Sequence, residues 1–297
     1  MSRKSIMYWP SIAMVTCFIL LIFTGVLLGL WYEPSPEYAY ESIVFISQYV
    51  YFGQVMLSLH HWATHLLIIS ILLHMLRIFV MGTYKRHPQA WMMGTMFLIA
   101  SVLFVFSGYL LRYDEVGYWS IKITTSLVSY TPFVGSFLQE LILGGSSITS
   151  LTVSKFYMVH VCLLTVITLT FLGMHYHSVK KIRVSLFEVG VGMVIAGFLM
   201  LFSILYPFQL GPRPSLELLT SLKPVWFFLW LYVLERVLTP SLNFLNSLVL
   251  IAVVLLISLL PHIDRGEETE KSERKRIAIG ILFVLIFLLL TALGYLW

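Results

Sequence analysis

Charge is what this sequence has least of. Only 11% of its 297 residues are Asp, Glu, Lys or Arg, against roughly 25% in soluble domains, which excludes an ordinary water-facing surface. Cysteine is nearly absent. Cys17 and Cys162 each lie inside an apolar run, so no disulfide framework is expected and both read as small buried hydrophobes. No cleavable signal peptide is expected either. Ser2-Arg3-Lys4 leads into an apolar stretch too long for a signal core and without a small-residue cleavage site, so the first segment is expected to stay as an anchor. There is no internal repeat and no low-complexity tract. The net charge of +5 calls for no nucleic-acid partner, because it comes mainly from loop residues on one side of a membrane.

What the sequence has in abundance is apolar length. It is 59% hydrophobic with a mean hydropathy of +0.90. About 20 apolar residues span a bilayer, and seven runs qualify: 7–32, 54–81, 90–111, 152–178, 187–208, 241–261 and 277–296. The expected fold is an all-α membrane protein of about seven transmembrane helices, with lipid as its first partner. Arg3/Lys4, Lys85/Arg86, Lys180/Lys181/Arg183 and the run from Arg265 to Arg276 share one side, giving twelve loop Lys/Arg there against six opposite. The positive-inside rule places the N-terminus in the cytoplasm and the C-terminus outside, as in a prokaryotic plasma (inner) membrane. Three outer loops are long. Residues 33–54 have room for a short surface helix, 112–151 for short interfacial helices, and the aromatic stretch 209–240 for a roof over a pocket near the membrane surface.

Ionisable side chains inside spans are costly and read as functional. His60 and His74 are fourteen residues apart, so at about 100° per residue they differ by about 40° and share a face. His61 lies about 140° from His74 and is expected to point away. His160 and His175 are fifteen apart, about 60° off, which permits one broad face; His177 fits less well. Fourteen residues at about 1.5 Å rise separate two levels by about 21 Å. The second and fourth spans run in the same direction, so His60 with His160 lie near the outer face and His74 with His175 near the inner face. Two imidazoles per level would fill both axial positions of a haem, leaving a group that carries electrons and binds no substrate at its iron.

Gly94 and Gly108 on the third span are also fourteen apart, and Gly25 on the first has Ser11 fourteen residues before it. Small residues at both levels would let a flat macrocycle approach the backbone, or would serve close helix packing. His61, His65 and His177 are left as hydrogen-bonding or interfacial residues, and His87 and His262 as solvated. Arg77, three residues past His74, is a candidate partner for a haem propionate or a snorkelling helix-end arginine.

These residues resemble cytochrome b of the bc-type quinol complexes, and most closely cytochrome b6 of the b6f type. The resemblance rests on His60-x13-His74 with Arg77, Ser107-Gly108-Tyr109-Leu110-Leu111 before Asp114, Gly117-Tyr118-Trp119-Ser120-Ile121-Lys122-Ile123, and Phe156-Tyr157-x2-His160-x14-His175. The fifteen-residue step is the b6 form; the mitochondrial type has fourteen. Beyond about residue 185 the chain resembles subunit IV of the b6f complex. The resemblance implies a di-haem four-helix bundle over 1–184 and a three-helix part over 185–297. It also implies two b haems on His60/His160 and His74/His175, quinone or quinol as substrate, a dimer, and iron–sulfur (Rieske or other) and c-type cytochrome partners.

Two departures from that family stand out. Family members carry Pro-Glu-Trp-Tyr before the sixth span, whose glutamate helps accept a quinol proton; here the stretch is Pro224-Val225-Trp226-Phe227. Valine accepts no proton and phenylalanine makes no hydrogen bond, so the candidate outer quinone pocket lacks its usual base. Asp114, Glu115, Glu217 and Glu235 are the available substitutes. The cysteine that anchors a covalent c-type haem in cytochrome b6 is Trp9 here, so that haem is not expected. Leu57 stands where an arginine often precedes the first ligand, and Arg112 is the candidate replacement. The reading is a di-haem b-type subunit of a quinone/quinol oxidoreductase complex without a normal outer quinol-oxidation site. The alternatives are a standard bc/b6f-type subunit with a divergent outer site and, more remotely, a non-redox scaffold or transporter.

Overall fold

The computed structural model describes residues 9–179, 184–215, 223–238, 243–267 and 269–296, with the side chains at 127, 235, 238 and 243–250 left undescribed. Eleven helices carry these residues, and no strand occurs among them. In order they are α1 (Trp9–Gly29), α2 (Ala39–Tyr49), α3 (Gly53–Val80), α4 (Pro88–Arg112), α5 (Glu115–Ser129), α6 (Gly135–Leu143), α7 (Ser150–Val179), α8 (Leu186–Leu205), α9 (Trp226–Leu238), α10 (Asn243–Ile263) and α11 (Glu270–Leu296). Helix is the only economical form for such sequences, since in lipid every backbone polar group must be satisfied within its own segment.

Six helices, α1, α3, α4, α7, α8 and α11, are individually long and apolar enough to cross a bilayer. The seventh expected span falls on α10, a 21-residue helix. The chain is thus an integral membrane protein whose apolar side chains face outward as well as inward: Ile19, Phe23, Val194 and Leu289 are all exposed. The basic residues Arg3, Lys4, Lys180, Lys181 and Arg183 used for orientation lie outside the described residues. Asp264 accepts a hydrogen bond from Tyr84 and pairs with Lys85 at 3.0 Å, tying the α3–α4 turn to the end of α10.

Local chemistry sets the helix boundaries. Ser185 and Glu188 form a reciprocal capping box at the start of α8, with Glu188 N–H on Ser185 Oγ at 3.2 Å and Ser185 N–H on the Glu188 carboxylate at 2.8 Å. Between α2 and α3, Phe52 adopts a left-handed conformation. A Cβ on Gly53 would strike the Ile46 carbonyl oxygen, so only glycine permits so tight a turn there. Two long loops carry short helices, α2 between α1 and α3, and α5 and α6 between α4 and α7.

Helices α1, α3, α4 and α7 form the bundle that positions the site. They pack as two intimate pairs, α1 on α3 and α4 on α7, with far less contact between α3 and α4. α8 leans on α1 and α3, while α11 packs on α9 and touches α3. The space between the two pairs is where the histidines meet.

Helix α7 is not uniformly α-helical. Residues Val159–Leu163 form a π turn that begins beside His160. A single π turn accommodates one extra residue. It therefore brings the fifteen-residue step back to the phase of fourteen α-helical residues, about 40° instead of the 60° expected for a regular helix. His160/His175 and His60/His74 thus acquire the same angular offset.

Candidate functional site

Each histidine pair faces across the bundle at one level. The His60 and His160 ring centres lie 6.4 Å apart, and those of His74 and His175 also 6.4 Å. A metal–imidazole bond is about 2 Å and a ring nitrogen lies about 1 Å from its ring centre, so one metal between two imidazoles requires about 6 Å.

The far side of each ring is held. Thr24 Oγ1 lies 2.9 Å from His60 Nδ1, Ser11 Oγ 3.0 Å from His74 Nδ1, Ser107 Oγ 2.8 Å from His160 Nδ1, and the Ala90 carbonyl 2.9 Å from His175 Nδ1. Thr24 donates its hydroxyl proton to the Leu20 carbonyl at 2.7 Å and Ser107 donates to Leu103 at 2.8 Å. Both hydroxyls therefore accept from Nδ1–H. A carbonyl can only accept, so His175 Nδ1 also carries its proton. Three of the four rings are thereby fixed as the tautomer that leaves the Nε2 lone pair for a ligand on the facing side, the arrangement that orients metal-binding histidines. The supports divide by helix pair: α1 holds both rings of α3, and α4 holds both rings of α7.

Three glycines each lie against one of these rings. A Cβ on Gly25 would sit 3.4 Å from His60 Cε1, one on Gly108 3.2 Å from His160 Cε1, and one on Gly94 3.8 Å from His175 Cε1. Ser11, anticipated only as a small residue, also orients His74. Thr24 and Ser107 were not anticipated, although each immediately precedes one of those glycines.

The outer pair opens on a cavity of about 260 Å³ lined by both imidazoles, Gly25, Gly108, Tyr32, Arg112 and Phe227. Two polar atoms buried beside it, the Tyr32 hydroxyl and Arg112 Nε, have no partner among the described residues. Arg112 stacks on Tyr109 at 4.2 Å and pairs with Asp114 at 3.2 Å. A ligand carrying carboxylates would satisfy both orphaned groups, so the residues present fit a haem with its propionates. At the inner level Arg77 sits in the last turn of α3, one turn beyond His74.

The roof of the cavity is made by distant chain. Phe208 N–H bonds Ser58 Oγ at 2.9 Å, Gln54 donates to the Phe208 carbonyl at 2.7 Å, and Trp62 donates to the Tyr206 carbonyl at 2.8 Å. Pro224, Val225, Trp226 and Phe227 lead into α9. Phe227 packs against Ile68 and Val105, with Val225 and Trp226 beside them, and Trp226 Nε1–H donates to His65 Nδ1 at 2.9 Å. His61, expected to point away, instead lines the same cavity as His65. The 140° that separates it from His74 turns it toward Phe208, 4.9 Å between ring centres. His177 lines a separate cleft with Gln89 and Ser178.

Neither Asp114 nor Glu115, the two candidate carboxylates among the described residues, lines this cavity. Asp114 accepts from Gly117 N–H at 2.8 Å and Gly211 N–H at 3.4 Å, and Glu115 accepts from Ser215 at 2.7 Å. Both secure the outer loops. Glu217 and the Glu235 side chain lie outside the described residues.

Two family models match the chain. Residues 2–183 match the family model described as cytochrome b/b6/petB, and residues 214–296 match that described as cytochrome b (C-terminal)/b6/petD. Cytochrome b6 of Heliobacterium modesticaldum is 37% identical over 165 residues, 55% of this chain and 78% of the relative. Cytochrome b6 of Chlamydomonas reinhardtii is 33% identical over 171 residues, 57% of this chain and 80% of the relative. A solved chain described as hyperthermophilic respiratory Complex III shares the fold, with a TM-score of 0.76 at 21% identity over 98% of this chain and 92% of that one.

Proposed function

The chain belongs to the cytochrome b/b6 family, and from that premise we propose that it is the di-haem b-type subunit of a membrane quinone/quinol oxidoreductase complex. The carrying observation is the pair of facing imidazoles at each of two levels, both 6.4 Å apart, with every Nδ1 already engaged on its far side.

His60 with His160 would hold the outer b haem, and His74 with His175 the inner one. When bound, two such haems supply one-electron carriage between the membrane faces. The protein's own residues do the rest. Thr24, Ser107, Ser11 and the Ala90 carbonyl orient the rings and fix their basicity. Gly25, Gly108 and Gly94 keep the approach open, Arg112 and Tyr32 meet carboxylates at the outer level, and Arg77 does so at the inner level. Leu67, Phe97 and their neighbours form a dry core between the levels, which excludes water from the path.

In this reading residues 1–184 form the di-haem part and 185–297 the subunit IV-like part. The N-terminus is cytoplasmic in a prokaryotic plasma membrane, and the chain works as a dimer with iron–sulfur and c-type cytochrome subunits. The outer quinone pocket lies against Pro224–Phe227, where Val225 and Phe227 supply no proton acceptor. Electrons therefore exchange with the quinone pool without a normal outer quinol-oxidation step. Val225→Glu tests this part. If the native loop lacks only its base, quinol-driven haem reduction rises sharply in the variant; an unchanged rate, with fast native turnover on quinol, would favour a standard bc/b6f-type subunit using another acceptor.

A further inference from the structure

Where α9 meets the outer cavity the wall is apolar, with Phe227, Ile68 and Val105 packed together. The nearest directional polar chemistry comes from His65, on the facing side of α3. Its ring lines the cavity, lies 5.7 Å from the Phe227 ring, and accepts the Trp226 indole N–H on Nδ1 at 2.9 Å. Indole nitrogen is a donor only, so this bond fixes the neutral His65 tautomer with its proton on Nε2. The ring then offers a neutral N–H donor and no acceptor. Arg112, which also lines the cavity, is paired with Asp114 and carries its own unsatisfied Nε, so the anionic part of any ligand already has a cationic host.

We propose that His65, with its tautomer set by Trp226, is the hydrogen-bond donor for a carbonyl oxygen of an oxidised quinone ring lodged against Phe227. The inference rests on the proposed exchange with the quinone pool. A quinone has acceptor oxygens only, and the Nε2–H of His65 suits one of them. A quinol brings two hydroxyl protons, for which neither the Phe227 ring nor the His65 Nε2–H offers an acceptor. Leaving a buried donor unpaired costs about 1–3 kcal/mol, roughly five- to hundredfold in affinity, so the pocket prefers the oxidised ring. His65 Nε2–H could equally meet a haem propionate, which shares the same acceptor chemistry. The neutral donor in an apolar setting favours the neutral carbonyl.

The test uses the full chain in nanodiscs. Calorimetry titrates decyl-benzoquinone into the oxidised protein and its quinol into the dithionite-reduced protein, and haem content is measured on each preparation. The native chain should bind the quinone more tightly than the quinol. His65→Leu should weaken quinone binding by about three- to tenfold, the worth of one hydrogen bond. His65→Gln, which keeps an N–H donor, should retain most of the affinity. Trp226→Phe frees Nδ1 to accept and should narrow the quinone-over-quinol preference. Native-like quinone binding by His65→Leu, or no quinone binding by the native chain, overturns the proposal. A fall in outer haem content or a shifted outer haem potential in His65→Leu, with quinone affinity intact, would assign His65 to a propionate and also overturn it. Haem content separates this outcome from failure of the di-haem reading, since a haem-free chain that binds quinone through His65 would refute only the latter.

Discussion

The π turn in α7 makes a prediction that a regular helix does not. Cys162 lies inside that turn with an exposed side chain, so removing it should convert the π turn to α-helix. His160 and His175 would then be fourteen residues apart, keep their offset of about 40° and their separation of about 21 Å, and remain on the bundle face. Ile69 is an exposed residue between His60 and His74 in the uninterrupted helix α3, where no slack exists. Deleting it turns His74 by about 100° relative to His60, and with side-chain atoms 5–6 Å from the axis the imidazole moves by about 8–9 Å. A metal–nitrogen bond of about 2 Å does not tolerate that. A pyridine haemochrome assay per chain, with a redox titration to count the steps, should find two haems after deletion of Cys162 and one after deletion of Ile69. Loss of a haem in the first, or two haems in the second, would refute the phase argument.

Further outcomes follow from the supports around the rings and from the inner loop. Thr24→Val and Ser107→Ala each remove an acceptor from an Nδ1–H, making the ligand less electron-rich. One hydrogen bond of about 0.5–1.5 kcal/mol corresponds to about 20–60 mV for one electron at 59 mV per tenfold, so the outer haem potential should rise by that amount with the inner one unmoved, as redox titration would read. Asp264 lies outside the membrane segments. Burial raises its carboxyl, but the Tyr84 hydrogen bond and Lys85 outweigh that and leave it below the ordinary carboxylate range. A depressed native value stabilises above the unfolded value of about 3.9 and is lost as pH falls through the native value. Thermal unfolding in detergent should show an acid-side loss of stability that Asp264→Asn reduces, and an identical acid profile in both proteins would contradict the assignment.

Helical period made most of the site legible in the sequence. His60 and His74 share a face because fourteen residues nearly complete four turns, and Gly94 with Gly108 obey the same arithmetic. The fifteen-residue step to His175 was legible as an oddity, but its resolution by a π turn was not, because a fixed angle per residue assumes uniform hydrogen bonding. The ring supports were half visible. Thr24 and Ser107 sit directly before glycines already singled out, whereas the Ala90 carbonyl has no side-chain signature at all. The link between His65 and Trp226 spans 161 residues and depends on how α9 docks against α3, which no local pattern encodes.

The central claim is that each imidazole pair holds one haem. A pyridine haemochrome determination on the purified full chain and on His60→Leu, His160→Leu, His74→Leu and His175→Leu tests it most directly. The account predicts two b haems per native chain and one in each single variant, with the outer potential lost in the first two and the inner potential lost in the last two. A native chain without haem, or a single variant that keeps both, would contradict it.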